Sequence, residues 1–290
     1  MGIPWTNIAL KSSRLLKRFG LNRRVSYMGI INCIAPDLEK ALIEIKSRNP
    51  FLITSTGRTA TKWLAALLHT ADGACVVHEP VPNEQYFHVQ AICAPETAAA
   101  YLTEFRLREM ALRICEQDPA VYGEVNSALR FHIKALKELV PEFRLIHLVR
   151  DGRDVVRSVL TRRNGSRRLK QYNQLKPPII DEHTARWDKL TEFEKVCWGW
   201  QCENRLMREH MPLHARFEDI VSSYELFAQQ ILEPLGLNIE KRVWESAVQR
   251  PANETKRYAV ESWNDWPREQ KDRFIRMCGK EMKKYGYDFN

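Results

Sequence analysis

The sequence predicts an α/β fold, a three-layer sandwich in which a central parallel sheet carries helices on both faces. Two observations predict it. Short apolar runs rich in β-branched residues recur along the chain, bounded by Gly, Pro and polar residues, and read as buried strands. Between them lie longer stretches with apolar residues at helical spacing. Strands alternating with helices make βαβ units, and these assemble into a parallel sheet with crossover helices packed against it. The 290 residues, 44% hydrophobic and 28% charged, suffice to bury such a core without disulfides or metal.

Residues 51–55 (FLITS) form the first strand, broken by Gly57. Residues 61–69 follow as a helix carrying Trp63, Leu64, Leu67 and Leu68 at helical spacing. Residues 74–78 (ACVVH) are a second strand, ended by Pro80. A long helix spans 97–117, a third strand 121–125, and a helix 131–139 stopped by Pro141. Residues 144–149 (RLIHLV) are the fourth strand, followed by a helix from about residue 153. A fifth strand covers 213–217, a helix 224–235, and a closing helix 267–285 is capped by Gly286. Residues 160–195 are polar, contain Pro177-Pro178, and read as an insertion or a lid on the substrate side.

Residues 1–45 read as a basic N-terminal appendage and residues 46–290 as the functional domain. In the appendage, residues 7–19 set Ile8, Leu10, Leu15, Leu16 and Phe19 among basic residues. Two readings stand: a helix packed on the main domain, or an amphipathic helix on an anionic membrane. Met1-Gly2 with Thr6 also fits the short N-myristoylation pattern.

Lys and Arg number 45 against 36 Asp and Glu, a net charge of +9. No acidic residue precedes Asp37, and a second basic cluster holds Arg153, Arg157, Arg162, Arg163, Arg167, Arg168 and Lys170. Such clusters are either solvated surface or sites for anionic partners. The aromatics are not interleaved with the basic runs and no nucleic-acid motif occurs, so no nucleic-acid partner is expected. Seven cysteines at scattered positions, with no CxxC pair, argue against a disulfide scaffold or zinc site. His210 and His214 are separated by Pro212, so no metal is expected there either. No apolar run approaches the ~18 residues of a membrane span, and no signal-peptide core is visible. These features lead us to expect a cytoplasmic protein, with peripheral membrane contact through the basic N-terminus as the one membrane reading.

Two segments carry chemistry. The first, 55–63 (STGRTATKW), runs from a strand into a helix, where free backbone N–H groups suit phosphate or sulfate. It lacks the second Gly of a Walker A loop, which counts against ATP or GTP. The second, 148–158 (LVRDGRDVVRS), is another strand–turn–helix: Arg150 can fork onto a phosphate and Ser158 can donate to the same group. The plainer alternatives are a polar turn and an ion pair of Arg150 with Asp151 or Asp154.

Together the two segments resemble the sulfotransferase family. That family has a 5′-phosphosulfate loop, TxPKSGTTW or PRSGTT, and a 3′-phosphate segment, RxPxDxxxS; here they read TGRTATKW and RDGRDVVRS. Residues 123–127 (GEVNS), 216–219 (RFED) and 284–287 (KYGY) extend the likeness over most of 50–290. The resemblance is closer to the carbohydrate, tyrosylprotein and bacterial branches than to the phenol branch. It implies a P-loop NTPase-like fold over 46–290. It also implies transfer of a sulfuryl group from 3′-phosphoadenosine 5′-phosphosulfate (PAPS), as co-substrate, to a hydroxyl or amine, with no metal. A carbohydrate or lipid acceptor is the expectation; small molecules belong to the same range.

Matched residue by residue, Arg58 takes the place of the family's catalytic Lys or Arg, stabilising charge as the bond to the sulfuryl group breaks. Thr59, Ala60, Thr61 and Lys62 occupy the 5′-phosphosulfate cradle, and Trp63 the aromatic that packs on adenine. Arg150 and Ser158 match the 3′-phosphate ligands, and Arg257 or Lys256 a late basic element over the same phosphate. Ala60 replaces the usual Gly and Lys62 the usual Thr, which puts the cradle's backbone freedom and one hydroxyl in question. A general base must take the acceptor proton. Glu79, 21 residues after Arg58, resembles the Glu after the second strand in carbohydrate and tyrosylprotein enzymes. Glu124 resembles the Glu of EKS-type segments. His78 and His132 are further alternatives, and Asn126 and Ser127 are candidate positioning residues. A P-loop-type kinase, or a non-catalytic nucleotide- or membrane-binding relative, are the competing functions.

Overall fold

The computed structural model describes residues 23–164, 181–250 and 260–289. The amphipathic stretch 7–19, the myristoylation pattern, Arg167, Arg168, Lys170, Pro177-Pro178, Lys256 and Arg257 lie outside the described residues.

The chain begins with helices α1 (Arg23–Ile34) and α2 (Leu38–Lys46). Then come β1 (Phe51–Thr54), α3 (Thr61–Leu68), β2 (Ala74–His78) and α4 (Gln85–Cys93). The long helix expected over 97–117 is interrupted: α5 (Thr97–Tyr101) and α6 (Leu107–Gln117) are joined by a π-turn, Leu102–Arg106. β3 (Val121–Val125), α7 (Ile133–Leu139), β4 (Arg144–Val149) and α8 (Gly152–Asn164) follow. After them come α9 (Glu192–His210), β5 (Leu213–Arg216), α10 (Phe217–Ser222), α11 (Tyr224–Phe227), α12 (Glu233–Leu235), α13 (Lys241–Val248) and α14 (Arg268–Lys284).

The five strands form one parallel sheet in the order β2-β3-β1-β4-β5. Alternate residues serve opposite faces, as a period of two requires. Leu52, Cys75, Tyr122 and Leu145 share a core with α2, α6 and α7. Phe51, Ile53, Val76, Val125, Ile146 and Leu148 share another with α3 and α13. Gly123 is obligatory within β3, because a Cβ there would lie 2.0 Å from the Phe51 ring. A third core joins Val149, α8, α9 and α14.

Two of the boundaries drawn from the sequence fall inside helices. The boundary at 45/46 cuts through α2, whose Ala41 and Ile45 are fully buried in the core. Tyr27 of α1 reaches the same body, donating from its hydroxyl to Glu109 at 2.8 Å. The appendage reading is therefore left with residues before 23, outside the description. The proposed lid is also shorter than expected: 192–195 begin α9, secured by a capping box between Thr191 and Glu194. That helix buries Val196, Cys197 and Trp200 against α8 and α14.

Candidate active site

In an open parallel sheet ligands bind beyond the carboxyl ends of the strands, where the strand order reverses. Here the chain leaves β1 for β2, returns to β3 beside β1, then crosses to β4 on the other side. That reversal falls at β1 and β4, which pair as far as Thr54 with His147. The two motif segments are the loops leaving those two strands.

The β1–α3 loop is folded on Ser55. Its Oγ accepts from the Gly57 N–H at 3.0 Å and from the Thr59 hydroxyl at 2.7 Å, and lies 3.2 Å from Ser127 Oγ. The backbone is left-handed at Gly57 (φ 80°), Arg58 (φ 61°) and Ala60 (φ 54°). Ala60 thus stands at a position that favours Gly, and it tops α3 without any side-chain cap. The left-handed conformation costs an L-residue about 1–2 kcal/mol. Ala60→Gly is accordingly expected to raise stability by up to about 1 kcal/mol in a thermal melt. A loss instead would mean that the Ala60 methyl, which packs on the α3 core, outweighs its backbone strain.

The second motif closes on the first. Arg58 Nε donates to Ser158 Oγ at 2.8 Å, across 100 positions of sequence. Arg150 Nη1 donates to the Arg58 carbonyl at 3.0 Å, and Nη2 pairs with Asp154 at 3.2 Å. Its guanidinium lies over the Phe217 ring, 4.8 Å from the centroid. Arg150 Nε is buried without a hydrogen-bond partner. The ion pair foreseen as the plainer alternative therefore exists, yet it leaves one donor of Arg150 over. Asp151 pairs with Arg153 at 2.5 Å, and its N–H donates to Glu218. Glu218 also accepts from Tyr287 at 2.6 Å, over whose ring Arg216 sits. The short segments 216–219 and 284–287 are thus the frame behind the Arg150 turn.

Other cradle residues turn inward. Thr59 is fully buried, its hydroxyl spent on Ser55, and Thr61 Oγ1 lies 3.0 Å from His78 Nε2. Their backbone N–H groups, not their hydroxyls, are what the loop has to offer. Lys62 is exposed. Trp63, expected against adenine, is 6% exposed and donates from its indole to the Ala247 carbonyl at 2.9 Å. It is a core side chain joining α3 to α13, because it shares a helix face with Leu64 and Leu67.

The candidate bases separate clearly. Glu79 follows β2, is 43% exposed, and has a left-handed backbone (φ 41°). His78 lies 4.0 Å from its carboxylate. Burial pushes the His78 pKa down, with Glu79 opposing and Lys62 assisting. Glu124, by contrast, is 0% exposed. It takes Arg106 Nη2 at 2.5 Å, the Tyr122 hydroxyl at 2.7 Å and Asn126 Nδ2 at 3.2 Å. It lies on the sheet face that the π-turn covers, since Tyr122 and Glu124 share a side of β3. Its carboxylate is sealed from solvent, with Arg106 across it. His132 is equally sealed, at 1% exposure, and burial beside Arg106 lowers its pKa to about 4.

Sequence reasoning missed Arg106 and Glu84, which form with Glu124 and Glu109 a fully buried ionic cluster. It also missed Ser55 as the pivot of the loop. No local pattern marks Arg106, which looks like one more charge on an amphipathic helix.

The chain matches the model of the Sulfotransferase family over residues 83–241, more than half its length. The match contains the second motif; the first lies upstream and is joined to it through Arg58 and Ser158. Among solved structures, the chain is similar to sulfotransferase STF1 from Mycobacterium tuberculosis H37Rv. The TM-score is 0.50 at 11% identity, over 87% of this chain and 83% of that one. It also aligns with a sulfotransferase from Alicyclobacillus acidocaldarius (TM-score 0.46, 12% identity, 82% and 96% covered). Mouse sulfotransferase SULT7A1 complexed with PAP gives 0.44 at 14%, with 84% and 89% covered. No curated protein matches the chain. Identities this low speak for the fold alone, and the sheet, its helices on both faces and the STF1 likeness agree on the P-loop-like architecture. The family match and the fold lead to one conclusion: this chain belongs to the sulfotransferase family.

Proposed function

We propose that the protein transfers a sulfuryl group from PAPS to an acceptor hydroxyl or amine in the crevice between β1 and β4. The observation that carries this reading is the bond from Arg58 Nε to Ser158 Oγ, reinforced by Arg150 on the Arg58 carbonyl. It ties the sulfuryl-side loop to the phosphate-side turn in one cradle.

The residues present fit such a donor. Arg150 has a buried N–H without a partner, and the Ser158 hydroxyl, which accepts from Arg58, retains its own proton to donate. These two would hold the 3′-phosphate. The amides of residues 57–61, at the N-terminus of α3, would hold the 5′ side. When bound, PAPS supplies an activated sulfuryl group. Arg58 neutralises the charge that develops on the departing phosphate oxygen, a role that positioned cations perform well away from bulk water. Glu79, exposed just beyond the carboxyl end of β2, two strands from β1, takes the acceptor's proton. Asn126 and Ser127 keep the loop in place: Thr54 donates to the Asn126 carbonyl at 2.9 Å, and Ser127 meets Ser55. Arg257 lies outside the described residues, and Trp63 is not included in the adenine contact.

Calorimetric titration with 3′-phosphoadenosine 5′-phosphate, beside AMP and ATP, tests the reading. Tight binding of the first alone is expected. Arg150→Ala should weaken that compound by about tenfold or more while changing AMP little, since one charge-assisted bond contributes about 1.5–3 kcal/mol. Preference for ATP, or equal losses for both ligands, would refute the assignment.

A further inference from the structure

Glu79 has a left-handed backbone although it is neither Gly nor Asn and precedes Pro80. The residue before a proline is normally driven to extended conformations. Such a conformation persists only where its surroundings over-determine it. One end of the turn is held by β2, where His78 pairs with Val125. The other end is held by Glu84. This residue is 2% exposed, and both carboxylate oxygens are occupied. Oε1 accepts from Arg106 Nε at 2.7 Å and from the Tyr101 hydroxyl at 2.8 Å; Oε2 accepts from Asn126 Nδ2 at 2.8 Å. Arg106, itself fully buried, is delivered by the π-turn between α5 and α6, a distortion found often at functional sites. A buried ionic cluster of this kind is poor value for stability, since apolar packing does as well. Its geometry, however, joins two segments of the site: the turn after β2, with Glu79, and the end of β3, with Asn126 and Ser127.

We propose that Glu84, held by Arg106, is a positioning residue that fixes the Glu79 turn against the end of β3. The proposal rests on the reading of Glu79 as the base. In Glu84→Gln an amide NH2 replaces one oxygen and meets a donor, either Asn126 Nδ2 or Arg106. The anchor is lost with little change in volume.

Two measurements on the full chain decide it, and neither needs an acceptor. Hydrogen exchange in Glu84→Gln should speed up about tenfold at residues 79–84 and 124–127, with 144–149 and 213–216 unchanged. Carboxyl 13C NMR, with the Glu79 signal assigned through Glu79→Gln, should show that signal displaced in Glu84→Gln as the turn around it loosens. Acceleration throughout the sheet, no acceleration at the turn, or an unmoved Glu79 carboxyl signal would each overturn the proposal. If Glu84→Gln does not fold, Tyr101→Phe removes one bond to Glu84, and the same two readouts apply with smaller, local changes. Failure of 3′-phosphoadenosine 5′-phosphate to bind the wild type would overturn the functional reading and leave both measurements standing.

Discussion

Arg58→Ala is expected to lower sulfuryl transfer by about 10²–10³-fold while the protein stays folded. The loop's own bonds do not use this side chain: Gly57 and Thr59 bond to Ser55, and Ser55 meets Ser127. What is lost is a guanidinium placed beside Ser158 and at the N-terminus of α3. Arg58→Lys should fall between, because an ammonium keeps the charge and loses the planar fork. Turnover of PAPS with a hydroxyl acceptor, alongside a thermal melt, reads both effects. Activity within tenfold of wild type, in a folded Arg58→Ala protein, would remove this residue from the chemistry.

The largest loss of stability is expected from Arg106→Met. Arg106 bonds to Glu84, Glu109 and Glu124, all within the core. Removing one partner of a buried ion pair costs about 3–5 kcal/mol, because the carboxylates stay behind uncompensated. That is a large share of the roughly 5–15 kcal/mol available to a folded domain. Burial raises the Glu84 pKa above its ordinary 4.5, with Arg106 opposing and the Glu124 charge adding to the rise. A carboxyl raised in the folded state contributes stability that is complete below the unfolded value and lost as pH climbs through the folded one. Without Arg106 the folded value rises further. The deficit of the variant should therefore be smallest in acid and grow towards neutral pH. Glu124→Gln in the same chain should recover part of it. Denaturant melts at pH 5 and pH 7 check this; a loss independent of pH would mean that packing, not charge, is what Arg106 supplies.

The strands were legible because short runs rich in β-branched and apolar residues stand between Gly, Pro and polar residues. Residues 74–78, 121–125 and 144–149 appear in the structure with the bounds expected from sequence. The two motifs were legible because the loops that follow β1 and β4 take their form from local residues. The helix α9 was not: its capping box lies in a polar stretch that read as an insertion. The π-turn was not either, since nothing in 97–117 breaks the helical period.

Strand periodicity determined the fold class by itself and the two motif segments the family resemblance, and that resemblance supplied the candidate residues Arg58, Glu79, Arg150 and Ser158. Only the tertiary structure decided which of those residues meet and which are sealed. Glu79 and Glu124 both follow or end a strand and look alike in sequence. One stands at the open end of the sheet, and the other faces the side that Arg106 covers. Whether a carboxylate stands open to solvent or is sealed in the core depends on what packs across it. For Glu124 that is Arg106, 18 positions away, and no local pattern encodes a contact of that kind.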